Sequence, residues 1–461
     1  MASCIVRPLE IKIKNFKNVN DGIIEFKNKK IIKKEQELTR EDILGIYGQN
    51  GSGKTALIQA LHIIQYLLKG QPLKQEWGTL VSCGEENFQL DILFFVQVAN
   101  QKYLITYQVT VKNENKKLMV SREKLVCSVS ENEKWKRDIT LLDYNYKEAN
   151  FIAPLQRYRE ITEKDKSLRV DLKVGKELSK KNGVSFIFSE YVQKIIFSSL
   201  GVTHPTTLIT KSLSFFAEAN LYIISNEQLG VINMSQSLPL NVHLEKKDDL
   251  FIGNMKLNLF ERSLILEDVF PMLEAVITQI NAVLGAIIPS LNIQIYKYSP
   301  QYVENDKLAI PIELLSFKDN HKMALRNESD GIKKIISLLS TIIAMYNQPN
   351  ICLVVDELDA GVFEYLLGDL LEIISQGAKG QLIFTSHNLR ILEKLSPKDI
   401  VFTTTNPHNR YIKLDGVKEH DNLRDFYLRT LFLGGQKENL YAETNMPEIR
   451  YALRKAGKRH D

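Results

Sequence analysis

Cysteine is scarce in this chain of 461 residues. Cys4, Cys83, Cys127 and Cys352 lie far apart, with neither the CxxC spacing of a zinc knuckle nor the density of a disulfide scaffold. A reducing, cytoplasmic setting is therefore expected. The opening stretch, Met1 to Glu10, lacks a basic segment followed by an apolar run and a small-residue cleavage site, so no secretory signal is read. No apolar run reaches membrane-spanning length; the longest candidate, Ile335 to Met345, suits a buried core helix, and no membrane partner is expected. Sustained heptads, internal repeats and low-complexity segments are also missing, which excludes a long coiled-coil arm.

A charge excess is nearly absent too. The net charge of +5 is mildly basic, and much of it sits in Lys29–Lys34, Lys112–Lys117 and Arg454–His460. Such runs are ordinarily solvated loops or tails, and only a clustered surface would make them a nucleic-acid contact. What remains is an ordinary soluble composition, 44% hydrophobic and 25% charged, in a chain long enough for two or three compact units.

Leu9–Lys14 and Gly22–Phe26 alternate apolar and polar residues around Asn20-Asp21-Gly22, predicting a half-buried hairpin. Ile43–Tyr47 predicts a short buried strand, followed at once by Gly48 and then by a helix over Thr55–Leu68 with Leu57, Ile58, Leu61, Ile64 and Leu68 on one face. Three β-rich runs between Phe88 and Val126 predict an antiparallel meander. From Phe151 to Pro289 the periodicity is mostly helical. Strands are expected over Leu291–Tyr298 and Ala309–Phe317, a helix over Gly331–Tyr346, and a strand–helix–strand unit over Ile351–Val355, Phe363–Ser375 and Gln381–Thr385.

Gly48-Gln49-Asn50-Gly51-Ser52-Gly53-Lys54-Thr55 matches G-x-x-x-x-G-K-[ST] in full, between a predicted strand and a predicted helix. Glycines let backbone N–H groups converge on phosphate oxygens, and the helix N-terminus adds roughly half a positive charge. Lys54 then reaches the β- and γ-phosphates, and Thr55 offers a hydroxyl to Mg²⁺. Asp356-Glu357 follows its apolar strand directly, at the edge where open α/β sheets bind ligands. Alone, such a pair is a helix N-terminal feature; beside a P-loop, Asp356 reads as a Mg²⁺ residue and Glu357 as the group that polarises the attacking water. Asp359 and Gly361 lie just beyond, and Thr385-Ser386-His387-Asn388 ends the next strand, where His387 can contact the γ-phosphate. Glu328-Ser329-Asp330-Gly331 opens a helix as a good N-cap.

This order of motifs resembles the ABC-ATPase superfamily, and Ser329-x-Gly331 with the opening Leu9-Glu10-Ile11-Lys12-Ile13-Lys14-Asn15-Phe16-Lys17 looks like its RecF- and OLD-like members. The signature departs from the transporter form Leu-Ser-Gly-Gly-Gln. The resemblance implies an α/β fold: an ABC-type head with a parallel-core sheet and an antiparallel meander, built from 1–150 and 291–416. A mainly helical insertion over 151–290 and a helical basic tail over 417–461 complete it. It implies ATP hydrolysis with Mg²⁺, and a homodimer or higher homo-oligomer in which Ser329 and Gly331 of one copy face the P-loop of another while Asp359 couples the sites. Many relatives serve prokaryotic phage defence, so a separate effector subunit, a nuclease or toxin, is expected, with nucleic acid or a phage component as a further partner. No strand pair of the Toprim kind follows His387, so a built-in nuclease is not expected. The alternatives are a RecF- or SMC-like DNA-repair or chromosome-maintenance ATPase, a scaffold that binds ATP only to assemble, and a transporter ATPase.

Overall fold

A computed structural model describes residues 4–27, 42–114, 117–132, 134–163, 165–226, 230, 237–246, 249–303, 306–319, 321–418 and 421–456. The lysine run Lys29–Lys34 lies outside them, as do parts of the other two basic runs.

The central sheet has six strands in the order Leu221–Ile224, Cys352–Val355, Gln381–Thr385, Asp42–Tyr47, Ile400–Thr403, Tyr411–Ile412. The first five are parallel and the last is antiparallel. Both faces of this sheet are covered, which is why its strands read as unbroken apolar runs. Cys352, Val354, Ile383 and Val401 belong to one core, shared with the helix Lys54–Leu68. Their neighbours Leu353, Val355, Leu382 and Phe402 belong to a second, shared with the helices Asp330–Asn347 and Glu364–Gly377.

Beyond the helix Lys54–Leu68 lies an eight-stranded antiparallel sheet that contains the expected meander, Asn87–Val98, Gln101–Glu114 and Lys117–Glu131. The hairpin that precedes it turns elsewhere than expected. Cys4–Phe16 pairs with Val19–Glu25 in a register that sets Phe16 against Val19 and Ile13 against Gly22. The turn is therefore Lys17-Asn18, and Asn20-Asp21-Gly22 lies inside a strand. Lys17 takes φ 55°, a left-handed conformation that costs roughly 1–2 kcal/mol without glycine. Its N–H reaches Leu80 O at 2.6 Å and its carbonyl accepts from Ser82 Oγ at 3.0 Å, which offsets that cost.

The stretch 151–290 holds the helices Leu155–Thr162, Leu168–Asn182, Glu190–Leu200, Pro205–Phe215 and Phe270–Ile287. It also carries strands that helical periodicity did not foresee. Leu221–Ile224 joins the central sheet, Ser237–Lys246 pairs with Asp249–Asn258, and Ser263–Leu266 joins a sheet of five. A second correction concerns apolar length. The helix Phe270–Ile287, not the one containing Ile335–Met345, is long and apolar enough to cross a membrane by length and composition, with mean hydropathy 1.5. Here it packs Leu273, Val276, Ile277, Ile280 and Leu284 into a third core, and Asn281 exchanges two hydrogen bonds with the backbone of Ile293.

Candidate functional site

Parallel strands end on one side, so Tyr47, Val355, Thr385 and Thr403 deliver their following loops to one edge of the sheet. Gly48, Gly51 and Gly53 take φ values of 153°, 76° and 100°, which favour glycine. At Gly48 the need is also steric: a Cβ would sit 1.7 Å from Thr403 Oγ1. Ser52 donates its N–H (3.2 Å) and its hydroxyl (2.5 Å) to Gln49 O, closing the loop on itself. Lys54 is buried and its ammonium donates to Gly48 O at 2.8 Å and Gln49 O at 3.0 Å. Burial lowers its pKa, opposed by the charges of Asp356, Glu357 and Asp359. A phosphate chain in the loop would replace those carbonyls with stronger, charged acceptors.

The carboxylates are arranged around one hydroxyl. Thr385 Oγ1 donates to Asp356 Oδ1 at 2.6 Å and accepts from the Glu357 N–H at 2.7 Å. Asp356 is 1% exposed, and burial raises its pKa against the hydrogen bonds of Thr385 and Thr55. Its Oδ2 is buried without a hydrogen-bond partner. An orphaned carboxylate oxygen beside the Thr55 hydroxyl fits Mg²⁺, a hard cation that takes one or two protein oxygens and completes its shell with waters and phosphates. Among the described residues no group of three or more His, Cys, Asp or Glu could hold a metal by itself. Glu357 has φ 49°, an outlier for a residue without glycine's freedom.

A cleft of about 530 Å³ brings together Asn50, Gly51, Gly53, Lys54, Thr55, Asp356, Glu357 and His387. His387 is exposed; partial burial and Lys54 lower its pKa, and its backbone N–H donates to Asp359 Oδ2 at 3.1 Å. Asp359 Oδ1 is buried and unpartnered. The structure does not bring Ser329 or Gly331 into this cleft. Ser329 is exposed and caps its helix, its Oγ accepting from Ile332 N at 3.4 Å. Gly331 is packed so closely on the next loop that a Cβ would stand 2.0 Å from Gly361 O. The Gln49 side chain turns away from the cleft to the backbone of Ala442.

Several residues here escaped the sequence reading. Lys17 and Asn18 line the cleft from the hairpin turn, and Asn18 donates its amide to Gly51 O. Arg410 runs beneath Gly53, and Tyr411 OH donates to Gly53 O at 2.7 Å. Lys334, 2% exposed, reaches from the helix Asp330–Asn347 to Glu357 O (2.7 Å) and Ala360 O (2.9 Å). Its only signal in the sequence is a charge between the apolar residues Ile332 and Ile335, inside a helix that otherwise reads as core.

Comparison with known proteins matches residues 9–392 to the AAA ATPase domain family. No curated protein matches by sequence. Among solved structures, the chain is similar to an SMC head bound to the C-winged helix domain of ScpA (13% identity, 88% of this chain and 97% of that one, TM-score 0.43). It is also similar to the SMC head domain from Thermotoga maritima (15%, 89% and 99%, 0.34) and to the recombination mediator protein RecF (14%, 88% and 98%, 0.38).

Proposed function

This chain belongs to the AAA ATPase domain family and is an ATPase, and from that premise we propose that two copies close on two ATP molecules and reopen on hydrolysis. The observation that carries this reading is the division of the motifs. The cleft gathers the P-loop, Asp356, Glu357 and His387, whereas Ser329 stands exposed outside it on the helix whose Gly331 is locked to the loop of Asp359. A second copy supplies the missing wall. In the closed pair the Gly48–Thr55 backbone and Lys54 hold the triphosphate, and Thr55 and Asp356 hold Mg²⁺, which neutralises phosphate charge when bound. Glu357 orients and polarises water, His387 faces the γ-phosphate, Ser329 and Gly331 donate from across the seam, and Asp359 couples the two sites. Residues 1–150 and 291–416 supply the motifs of the head, 151–290 adds the strand Leu221–Ile224 to its central sheet, and the rest of that insertion carries the output.

The cellular role in this proposal is that of the nucleotide-driven subunit of an anti-phage system in the cytoplasm, acting through a separate nuclease or toxin. Its support is the Ser329-x-Gly331 signature and the order of motifs. A second reading, DNA repair or chromosome maintenance, is favoured by one surface. The helix Leu168–Asn182 aligns Arg169, Lys173, Lys176 and Lys180 at intervals of four, three and four, a stripe on one face that suits a phosphate backbone.

With ATP, Glu357→Gln is expected to double the 52.9 kDa solution mass, and Ser329→Arg to keep it single while ATP binding persists. A Ser329→Arg chain that still pairs overturns the sandwich. Mass spectrometry of what co-purifies with Glu357→Gln decides the role: an effector supports defence, whereas repair proteins together with DNA-stimulated, salt-sensitive hydrolysis support the second reading.

A further inference from the structure

The C-terminal segment is tied to the P-loop and then leaves the protein. Gln436 and Asp415 exchange two hydrogen bonds, at 2.8 and 3.1 Å, and Glu438 accepts from Asn406 and Asn409. Asn439 O accepts from the Thr405 N–H, and Leu440 is buried. Ala442 then meets the side-chain amide of Gln49, a P-loop residue, through both of its backbone groups, at 3.0 and 3.4 Å. Four residues later the helix Met446–Ala456 starts, so it begins within about 14 Å of that tether. Asn445 caps it, accepting from Glu448 N at 3.1 Å.

Nothing in the described chain covers this helix. None of its residues is buried, and Met446, Ile449 and Leu453, spaced i, i+3, i+7, are 66%, 43% and 71% exposed. Arg450, i+4 from Met446, and Arg454 run along one edge of that stripe, and Lys455 stands on the far side. An eleven-residue helix is marginal in water by itself and gains its stability from packing an apolar face. A complementary surface lies beside the signature. Phe363 and Tyr365, 68% and 51% exposed, stack at 5.7 Å just after the loop of Asp359 and Gly361. Glu364 is exposed between them, and Glu328 and Asp330, the latter also holding Lys333, stand at the adjoining helix start. One surface is apolar with a basic edge; the other is aromatic with Glu328, Asp330 and Glu364 beside it and Arg390 4.7 Å over the Tyr365 ring.

We propose that the helix Met446–Ala456 is a clasp for a second copy of this chain, its apolar side seating on Phe363 and Tyr365 of that copy when ATP closes the pair. This rests on the sandwich reading, which alone brings the P-loop side of one copy to the signature side of the other. Because Gln49 O also accepts from Lys54 and Ser52, a triphosphate that draws Lys54 away acts on the residue that tethers the clasp.

The test uses full-length chains carrying Cys83→Ser and Glu357→Gln. A Leu453→Cys chain and a differently tagged Phe363→Cys chain are mixed with ATP or ADP and treated with a short bismaleimide. The expected result is a cross-linked heterodimer at least tenfold more abundant with ATP. Met446→Ser/Ile449→Ser/Leu453→Ser is expected to weaken the ATP dimer about tenfold with ATP binding per chain unchanged. An intact ATP dimer without heterodimer cross-links, or a cross-link formed only within one chain carrying both cysteines, overturns the clasp alone. Absence of any ATP dimer in the parent overturns the sandwich and the clasp with it.

Discussion

Lys334→Met tests whether a buried lysine holds the loop of Glu357 or merely fills space. Lys334 donates to Glu357 O and Ala360 O, and burial lowers its pKa to about 8, against the opposing charges of Asp359, Glu357 and Asp356. Keeping a lysine charged there costs about 3 kcal/mol relative to water. Two charge-assisted hydrogen bonds return about 1.5–3 kcal/mol each. Methionine removes both terms, and the two carbonyls belong to residues that water can reach. The net effect is therefore expected to be a loss of about 0–3 kcal/mol of unfolding free energy, a shift of a few degrees in Tm. Hydrolysis should suffer more. Glu357 is held at φ 49° by Thr385 on its N–H and by Lys334 on its carbonyl. Losing one hold lets a conformation strained by about 1–2 kcal/mol relax, so kcat should fall about tenfold. KM should move little, because Lys334 does not line the cleft. The pH sign follows. Between about pH 8 and 10.5 the folded chain binds fewer protons at this site than the unfolded one, so the lysine's contribution to stability rises through that window. Wild-type kcat should decline above pH 8 in a phase that Lys334→Met lacks. Phosphate-release kinetics and thermal melts decide: a variant that melts lower but turns over at the parental kcat refutes the brace.

Gly331→Ala places a Cβ 2.0 Å from Gly361 O and must displace the loop of Asp359. ATP binding by the single chain should persist while turnover falls at least tenfold, and filter binding beside phosphate release separates the two. His62, against Tyr66 and Trp77, has a pKa lowered to about 4 by burial first and then by Lys74 and Lys69. It is neutral in both states above pH 6.5, so its full contribution is present there. As pH falls from 6.5 toward 4 only the unfolded chain takes up the proton, removing about 2–3 kcal/mol by pH 4.5. Urea midpoints at pH 7 and 4.5 should show this loss in the parent and its absence in His62→Phe.

The P-loop was legible because its demands are local. A strand buried on both faces must be apolar, the turn must be glycine, and the helix must show one apolar stripe; all three occur within Asp42–Leu68. The same holds for Cys352–Val355 and Gln381–Thr385. The misread turn shows the opposite case. Asn20-Asp21-Gly22 has turn composition, but distant groups, Leu80 O and Ser82 Oγ, settle Lys17 in the left-handed region instead. Ser237–Lys246 alternates Leu238, Leu240, Val242 and Leu244 with other residues. Pro239 hides it, since proline reads against a strand except at an edge such as this two-stranded ribbon offers. Leu221–Ile224 is too short to separate from the helices around it.

Whether Ser329 serves its own cleft is a question that residue order cannot settle, because it concerns which surfaces share a rigid body. Gly331 packs on Gly361, Lys334 bonds Glu357 and Ala360, and Asp359 accepts from the backbone of His387. These contacts join the helix Asp330–Asn347, the loop after Asp356 and the loop after Thr385 into one braced unit. Close packing transmits displacement instead of absorbing it. A nucleotide that shifts Glu357 or His387 in one cleft must therefore move the Ser329 surface that the same copy presents outward. In the pair proposed above that surface would complete the other cleft, and each site would report its state to its neighbour through the three contacts named. Neither Lys334 nor Asp359 lines the cleft, so removing either side chain is expected to weaken this bracing while ATP binding by the single chain persists.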